Sequence, residues 1–173
     1  MKSRTSSCIS APSARNSLKV VPAPFGTWRS DKGAGGGGFG ADCAFGEGDA
    51  SALCATGAVS GCFLFKLKTL KPGEYYAVKA SAFGEGVSSG ISWRNAEGKY
   101  VGRALKMPFV GDDGRWRHGF AVVCVPTDAA SMTVTLDVNV AKGEKAWFDN
   151  VGVFRLCEAP GPEPEPETRK PVR

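Results

Sequence analysis

The sequence predicts an all-β fold, either an antiparallel β-sandwich or a jelly roll. First, 23 glycines and 11 prolines in 173 residues are too many helix breakers for a helical bundle. Second, several segments alternate apolar and polar residues with a period of two, which is the pattern of strands that bury one face. Third, turn sequences rich in Gly, Pro, Asp and Asn separate these segments at the spacing of short strands.

The clearest strand is Ser131–Val140. Its even-numbered residues, from Met132 to Val140, are apolar, and its odd-numbered residues, from Ser131 to Asn139, are polar. Comparable runs predict strands over residues 62–70, 74–83, 87–94, 116–125 and 145–156, with weaker runs near residues 51–55 and 100–106. About eight short strands with no convincing amphipathic helix predict two packed antiparallel sheets.

The composition divides the chain into three parts. Residues 1–16 are rich in Ser, Arg and Lys and predict a disordered basic leader, whereas residues 158–173 alternate Pro with Glu, as extended linkers do. Residues 17–157 are the size of one domain. Because linkers join modules, we expect a larger multidomain protein. The opening lacks the apolar core of a signal peptide, and no segment is apolar for long enough to span a membrane.

The charge distribution does not predict nucleic acid as a partner. The net charge is +5, but Lys2, Arg4, Arg15 and Lys19 all lie in the first 19 residues, which contain no acid. The predicted domain is therefore close to neutral and lacks the clustered basic face that nucleic-acid binding uses. Nucleic acid would have to bind the leader, and that binding would weaken steeply with salt.

The sequence offers little for catalysis. His118 is the single histidine, so any Ser-His-Asp or Cys-His mechanism would need it, and no Gly-x-Ser-x-Gly motif is present. The carboxylates of Asp112 and Asp113 lie in a predicted turn rather than in a rigid cleft. The glycine run at residues 33–38 matches the dinucleotide pattern only formally, because no strand enters it and no helix leaves it; we expect a mobile loop. The chain is predicted not to be an enzyme.

The six cysteines contain no C-x-x-C pair, which argues against zinc-ribbon and thioredoxin-type sites. Their even number permits disulfides, and buried free thiols agree with the sequence equally well. The state of the cysteines therefore stays open at this point.

Four short motifs follow one another within residues 17–157. They are a Pro-Gly-x-x-Tyr strand entry at residues 72–76, an Asn-x-x-Gly turn at residues 95–98, a Trp at 116 whose strand ends in Val-Pro at 125–126, and a closing Phe-Asp-Asn-Val strand at residues 148–151. In this order they resemble the carbohydrate-binding modules of the galactose-binding-like β-sandwich (jelly-roll) type that are attached to glycoside hydrolases.

The resemblance implies a non-catalytic module that binds a polysaccharide or glycan, as an accessory domain of a larger secreted or cell-surface protein. The same fold also serves as a structural, assembly or adhesion domain without a sugar site, and this alternative stays open. In the resembling modules an aspartate of the closing strand helps hold a structural calcium ion. Asp149 matches that aspartate, and Asp49 lies where loop ligands fall. The family's acidic opening segment is missing, since residues 16–25 contain no acid, but calcium at Asp49 and Asp149 with backbone carbonyls is expected.

The candidate sugar-binding residues are aromatic rings and a planar polar side chain, because rings stack on sugar C–H faces and planar polar groups bind hydroxyls. Trp28 is expected in a loop at the head of the glycine run, either as a stacking platform or as a cap of the sandwich. Tyr100 follows a turn and Arg94 faces outward, so both are expected at the site. Trp93 and Trp116 complete the set, although strand alternation favours core packing for Trp93 and the resemblance implies a structural role for Trp116.

Overall fold

The computed structural model describes residues 18–20, 26–30, 35–48 and 52–156, and within these ranges it contains strands and turns but no helix that could cross a membrane. The predicted leader, the Pro/Glu segment and Asp49 lie outside the described residues. The strands are β1 (Leu18–Val20), β2 (Gly26–Arg29), β3 (Gly35–Asp42), β4 (Ala52–Lys68), β5 (Tyr75–Phe83), β6 (Val87–Arg94), β7 (Tyr100–Lys106), β8 (Phe109–Val110), β9 (Arg117–Cys124), β10 (Ser131–Val140) and β11 (Lys145–Leu156).

These strands form two sheets in which every pairing is antiparallel. One sheet has the order β7-β6-β10-β4-β2, and we call it the groove sheet after the groove on its outer face. The other, the back sheet, has the order β3-β4-β11-β5-β9-β8, with β1 paired to β11. Strand β4 belongs to both: its first part pairs with β3 and β11, and its second part pairs with β10 and β2. Gly57 lies close to this change of partners and has a φ of 71°, a conformation that favours glycine. The predicted antiparallel sandwich is confirmed.

The core lies between the inner faces of the two sheets. Met132, Val134 and Leu136 of β10 are at most 1% exposed, and Phe148 of β11 and Val78 of β5 are fully buried. These are the apolar positions that strand alternation assigns to one face. Because full burial of such a side chain contributes about 1.5–3 kcal/mol, this layer is the main source of stability.

Most predicted strands agree with the structure. The bounds of β6, β7, β10 and β11 agree residue for residue with the predicted runs. The two runs at residues 51–55 and 62–70 are parts of one long strand, β4. The intervening Gly57 and Gly61 weakened the pattern there, although glycine is compatible with a strand when packing requires it.

Two loop predictions were wrong. Gly35 to Gly38 are not a loop but belong to β3, which pairs with β4, because ladder hydrogen bonds use the backbone and need no side chain. Trp28 also lies in a strand, β2, which pairs with β4 through Trp28 opposite Cys62. A four-residue strand is too short to show an alternation in the sequence.

Four of the six cysteines lie within the described residues. Among the described residues, Cys43, Cys54, Cys62 and Cys124 are free thiols. Burial raises the pKa of Cys62 to about 11, with the nearby Asp137 carboxylate acting in the same direction. The thiol of Cys62 is therefore protonated and unreactive at neutral pH.

The close contact of β2 with Gly61 yields a prediction. A Cβ at Gly61 would overlap the carbonyl oxygen of Trp28 and lie 3.0 Å from the Arg29 Cα. We expect Gly61→Ala to push β2 away from β4 and to lower the free energy of unfolding by about 1–3 kcal/mol. Urea denaturation measures the stability, and amide hydrogen exchange measures the loss of protection in Gly26–Arg29.

Gly40→Ala is the matched control, because a Cβ at Gly40 of β3 meets nothing within 4 Å. Its stability should equal or slightly exceed that of the wild type, since alanine restricts the unfolded chain. Equal stabilities for Gly61→Ala and Gly40→Ala would contradict the predicted packing of β2.

Candidate functional site

A groove of about 380 Å³ crosses the outer face of the groove sheet. Strands β2, β4, β6, β7 and β10 all contribute to it, because the side chains that alternate with the core residues point to this face. The lining residues are Trp28, Cys62, Leu64, Lys66, Ser92, Arg94, Tyr100, Thr133 and Thr135. Three of the residues predicted to bind ligand are thus brought together on one surface.

Two exposed aromatic rings mark the ends of the groove. Trp28 on β2 is 58% exposed and Tyr100 on β7 is 68% exposed. Their strands are the two edges of the groove sheet, separated by four strand spacings of about 4.8 Å, or roughly 19 Å. The register places Trp28 opposite Cys62 and Tyr100 opposite Arg94, so the groove runs diagonally. A chain ligand could contact both rings, whereas a single small molecule could not.

Arg94 is held in a fixed position at the Tyr100 end. Its guanidinium lies 4.0 Å from the centroid of the Tyr100 ring, in a cation–π contact. Its Nη1 donates a hydrogen bond to the Gly98 carbonyl at 2.7 Å, and the turn is closed by the backbone N–H of Lys99, which donates to Asn95 Oδ1 at 2.8 Å. The Asn-x-x-Gly turn therefore positions both residues.

The floor of the groove is polar and was not predicted as part of the site. Thr133 lies between Lys66 and Ser92 on the neighbouring strands, and Thr135 lies beside Leu64. Hydroxyl groups can donate and accept hydrogen bonds, as ligand hydroxyls do. The odd-numbered polar residues of β10 were the available signal, but the sequence does not show which strands flank them.

Trp93 does not line the groove, and its assignment as a sugar-binding residue is corrected. It is 2% exposed and lies on the inner face of β6, because it alternates with the outward-facing Ser92 and Arg94. A ring that is buried in the core cannot stack on a ligand.

Trp116 also lies outside the groove, so its assignment to this site is corrected. Its ring stacks on Phe45 with centroids 5.6 Å apart and contacts Phe83 at 5.7 Å. Trp147 completes this aromatic cluster and donates a hydrogen bond from Nε1 to Asp42 Oδ2 at 3.0 Å. That bond lowers the pKa of the Asp42 carboxyl, with a smaller contribution from the backbone N–H of Ala44. The half-buried Trp116 thus packs the segment that follows β3.

A second polar cluster lies beside these rings. Ser81 Oγ is 3.2 Å from His118 Nδ1, His118 Nε2 is 3.5 Å from Glu47 Oε1, and Asn150 Nδ2 donates to Glu47 Oε2 at 2.9 Å. Burial raises the pKa of Glu47. The hydrogen bonds from Ser81 and Asn150, together with the charges of His118 and Lys79, lower it by more than burial raises it, so the pKa lies below its ordinary value. The cluster ties the segment around Glu47 to the back sheet.

Ser81, His118 and Glu47 are the residue types of a hydrolytic Ser-His-acid triad, and each contacts the next. Ser81 is only 3% exposed, however, and a nucleophile has to reach the substrate. The buried hydroxyl instead has its own hydrogen-bond partner in the His118 ring, as buried polar groups require. The sole histidine therefore has a structural explanation as a residue at the rim of the sandwich.

Of the two acids expected to hold calcium, the structure describes only Asp149. Asp149 Oδ2 accepts the backbone N–H of Glu47 at 2.7 Å, and Asp149 Oδ1 accepts that of Asn150 at 2.6 Å. Each oxygen of Asp149 thus accepts one backbone amide, which is the structural role that a carboxylate at this position can have without a metal ion. Within the described ranges no three His, Cys, Asp or Glu side chains form a group that could hold a metal ion. Calcium at Asp49 and Asp149 stays a prediction from the resemblance alone.

No protein-family model and no curated protein matches this chain. Solved structures match its fold. The CBM22-1 xylan-binding domain of Paenibacillus barcinonensis Xyn10C superposes with a TM-score of 0.56 at 12% identity, over 83% of this chain and 94% of that domain. The CBM22-1–GH10 modules of Clostridium thermocellum xylanase 10B, complexed with xylohexaose, give 0.58 at 14% identity, over 82% of this chain and 29% of that one.

A third match is the enzymatically active domain of tailspike protein 4 from bacteriophage CBA120. Its TM-score is 0.56 at 17% identity, over 77% of this chain, and this chain spans 19% of that domain. Likeness at such identities is a likeness of fold. The chain therefore has the antiparallel β-sandwich fold of carbohydrate-binding modules, as the four sequence motifs indicated.

Proposed function

We propose that this chain is a non-catalytic carbohydrate-binding module. The observation that carries the proposal is the groove, in which exposed Trp28 and Tyr100 rings lie at the two ends of a floor of hydroxyl-bearing side chains. Rings of this kind stack on the C–H faces of sugars, while hydroxyls and a guanidinium bind the sugar hydroxyls. The xylan-binding domain named above supports the proposal through its fold.

The groove geometry favours a polysaccharide over a monosaccharide. A groove that is lined by five strands can contact several sugars of a chain, whereas a single sugar favours an enclosed pocket. Because the guanidinium of Arg94 is already held against the Tyr100 ring and the Gly98 carbonyl, little ordering of these two side chains would oppose binding.

The proposal extends to the setting of the module. We place it as an accessory domain of a larger secreted or cell-surface protein, and the xylanase match supports this, because it contains a CBM22-1 module together with a GH10 module. The Pro/Glu composition of residues 158–173 is that of a linker.

A structural or assembly domain is the second candidate, and the back sheet favours it. Phe120 and Val122 on its outer face are 64% and 43% exposed, and Val110 of β8 is 71% exposed. Neighbouring exposed apolar side chains are typical of surfaces that contact another protein. The two candidates use opposite sheets, so separate variants distinguish them.

The groove rings provide the test of sugar binding. We expect Trp28→Ala and Tyr100→Ala each to weaken binding to a polysaccharide selected from a panel by about tenfold or more, because each removes a stacking surface. Isothermal titration calorimetry measures the affinity, and near-ultraviolet circular dichroism confirms the fold.

Phe120→Ala is the matched control for these variants, because it removes an equally exposed ring from the other sheet. It should leave the affinity unchanged. If Phe120→Ala weakens binding as much as Trp28→Ala does, the ligand does not occupy the groove, and if no polysaccharide binds the wild type, the proposed function is wrong.

The assembly candidate predicts self-association through the back sheet. In that case the wild type is an oligomer at micromolar concentration and Phe120→Ser converts it to a monomer, because a polar side chain disrupts an apolar contact. Light scattering coupled to size-exclusion chromatography measures the mass. A monomeric wild type would show that the back sheet does not mediate self-association, which contradicts this second candidate function.

A further inference from the structure

The charge of the groove points to the chemistry of its ligand. Its lining contains two cationic side chains, Lys66 and Arg94, and no carboxylate. The imbalance extends over the whole sheet. Strands β2, β4, β6, β7 and β10 contain the cations Arg29, Lys66, Lys68, Arg94, Arg103 and Lys106 against a single acid, Asp137.

The same lining has more hydrogen-bond donors than acceptors. Ammonium and guanidinium groups only donate, whereas hydroxyls of serine and threonine both donate and accept. A neutral sugar offers donors and acceptors together, so a site for it gains from carboxylate or amide acceptors, and the groove lining includes neither. A ligand that carries additional acceptors matches this surface better.

The two groove cations are not neutralised by the described part of the chain. The ion pairs there involve Arg117, His118 and Arg155, and none involves Lys66 or Arg94. Lys66 is exposed, and the Arg94 contacts to Tyr100 and Gly98 hold the guanidinium without cancelling its charge.

Asp137 does not compensate for them. It lies outside the groove lining and accepts a hydrogen bond from the Thr135 hydroxyl at 3.1 Å. Burial raises the pKa of Asp137, and the Thr135 bond and the charge of Lys106 oppose that rise. Asp137 is therefore the partner of residues beside it rather than of the groove cations.

We propose that the groove binds an acidic polysaccharide whose sugars carry carboxylate groups, with Lys66 and Arg94 contacting the carboxylates and Trp28 and Tyr100 stacking on the rings. This inference rests on the proposed function and adds the ligand class to it. A carboxylate matches the planar fork of a guanidinium, which can donate two parallel hydrogen bonds to it. Lys66 contributes attraction with less directional demand.

The ligand pair that tests the proposal is a uronic acid polymer and its methyl ester. Polygalacturonate, polymannuronate and polyglucuronate serve as acidic probes, and the esters have the same backbones without the charge. We expect at least one acid form to bind about tenfold or more tightly than its ester by isothermal titration calorimetry. Its affinity should fall with added sodium chloride, because salt screens the attraction.

The variants assign the effect to the groove. Lys66→Gln and Arg94→Gln should each weaken binding of the acid polymer by about fivefold or more, and each should weaken binding of the ester clearly less, because the ester keeps only the contacts to sugar hydroxyls. Arg94→Lys should recover only part of the loss, since an ammonium lacks the guanidinium fork. Lys79→Gln removes the same charge from β5 of the back sheet and should have no effect.

The outcomes separate this inference from the proposed function. Binding of xylan or another neutral polysaccharide that equals or exceeds binding of every acid polymer overturns the inference and leaves the sugar-binding function in place. Tighter binding of dextran sulfate or single-stranded DNA than of any uronate polymer overturns the choice of carboxylate. If no polysaccharide binds at all, both the inference and the proposed function are wrong.

Discussion

The structure depends on one strand that pairs in both sheets. Strand β4 is 17 residues long; it pairs with β11 and β3 on the back sheet and with β10 and β2 on the groove sheet. Since both sheets share the backbone of β4, the position of one sheet relative to the other is constrained. The core residues of β10 and β11 therefore face each other between the sheets. The outward residues of β4, among them Lys66, are placed by the same pairing, so the groove floor and the core have a common origin.

The site follows from the alternation that builds the core. Each strand that buries apolar side chains on one face must present its other residues on the opposite face. On the groove sheet those residues include Ser92, Thr133, Thr135 and Lys66 on the inner strands and an aromatic ring on each edge strand, which leaves a largely polar floor between two rings. On the back sheet the outward residues of β9 include exposed Phe120 and Val122. One fold therefore presents two surfaces of different chemistry.

The sequence predicted the fold class and several strand bounds because a period of two is a local signal. The same alternation predicted that Arg94 faces outward from β6. The turn before Tyr100 predicted that its ring is exposed. Trp28 was assigned to a loop because a four-residue strand between glycines has no period to detect. Lys66, Thr133 and Ser92 were missed because their adjacency depends on the β6-β10-β4 order, which the local pattern does not specify. Trp116 was misplaced because its aromatic partners, Phe45 and Phe83, lie far from it in sequence.

The weak attachment of β2 to the groove sheet would affect how tightly the groove binds a ligand. Among the described strands it pairs only with β4, through four residues, so few hydrogen bonds hold it and its detachment costs less than unfolding of the whole domain. A ligand that stacks on Trp28 interacts only with the attached form. Part of the binding free energy would then stabilise the attached strand, and a change that loosens β2 would lower the apparent affinity without altering any group that touches the ligand.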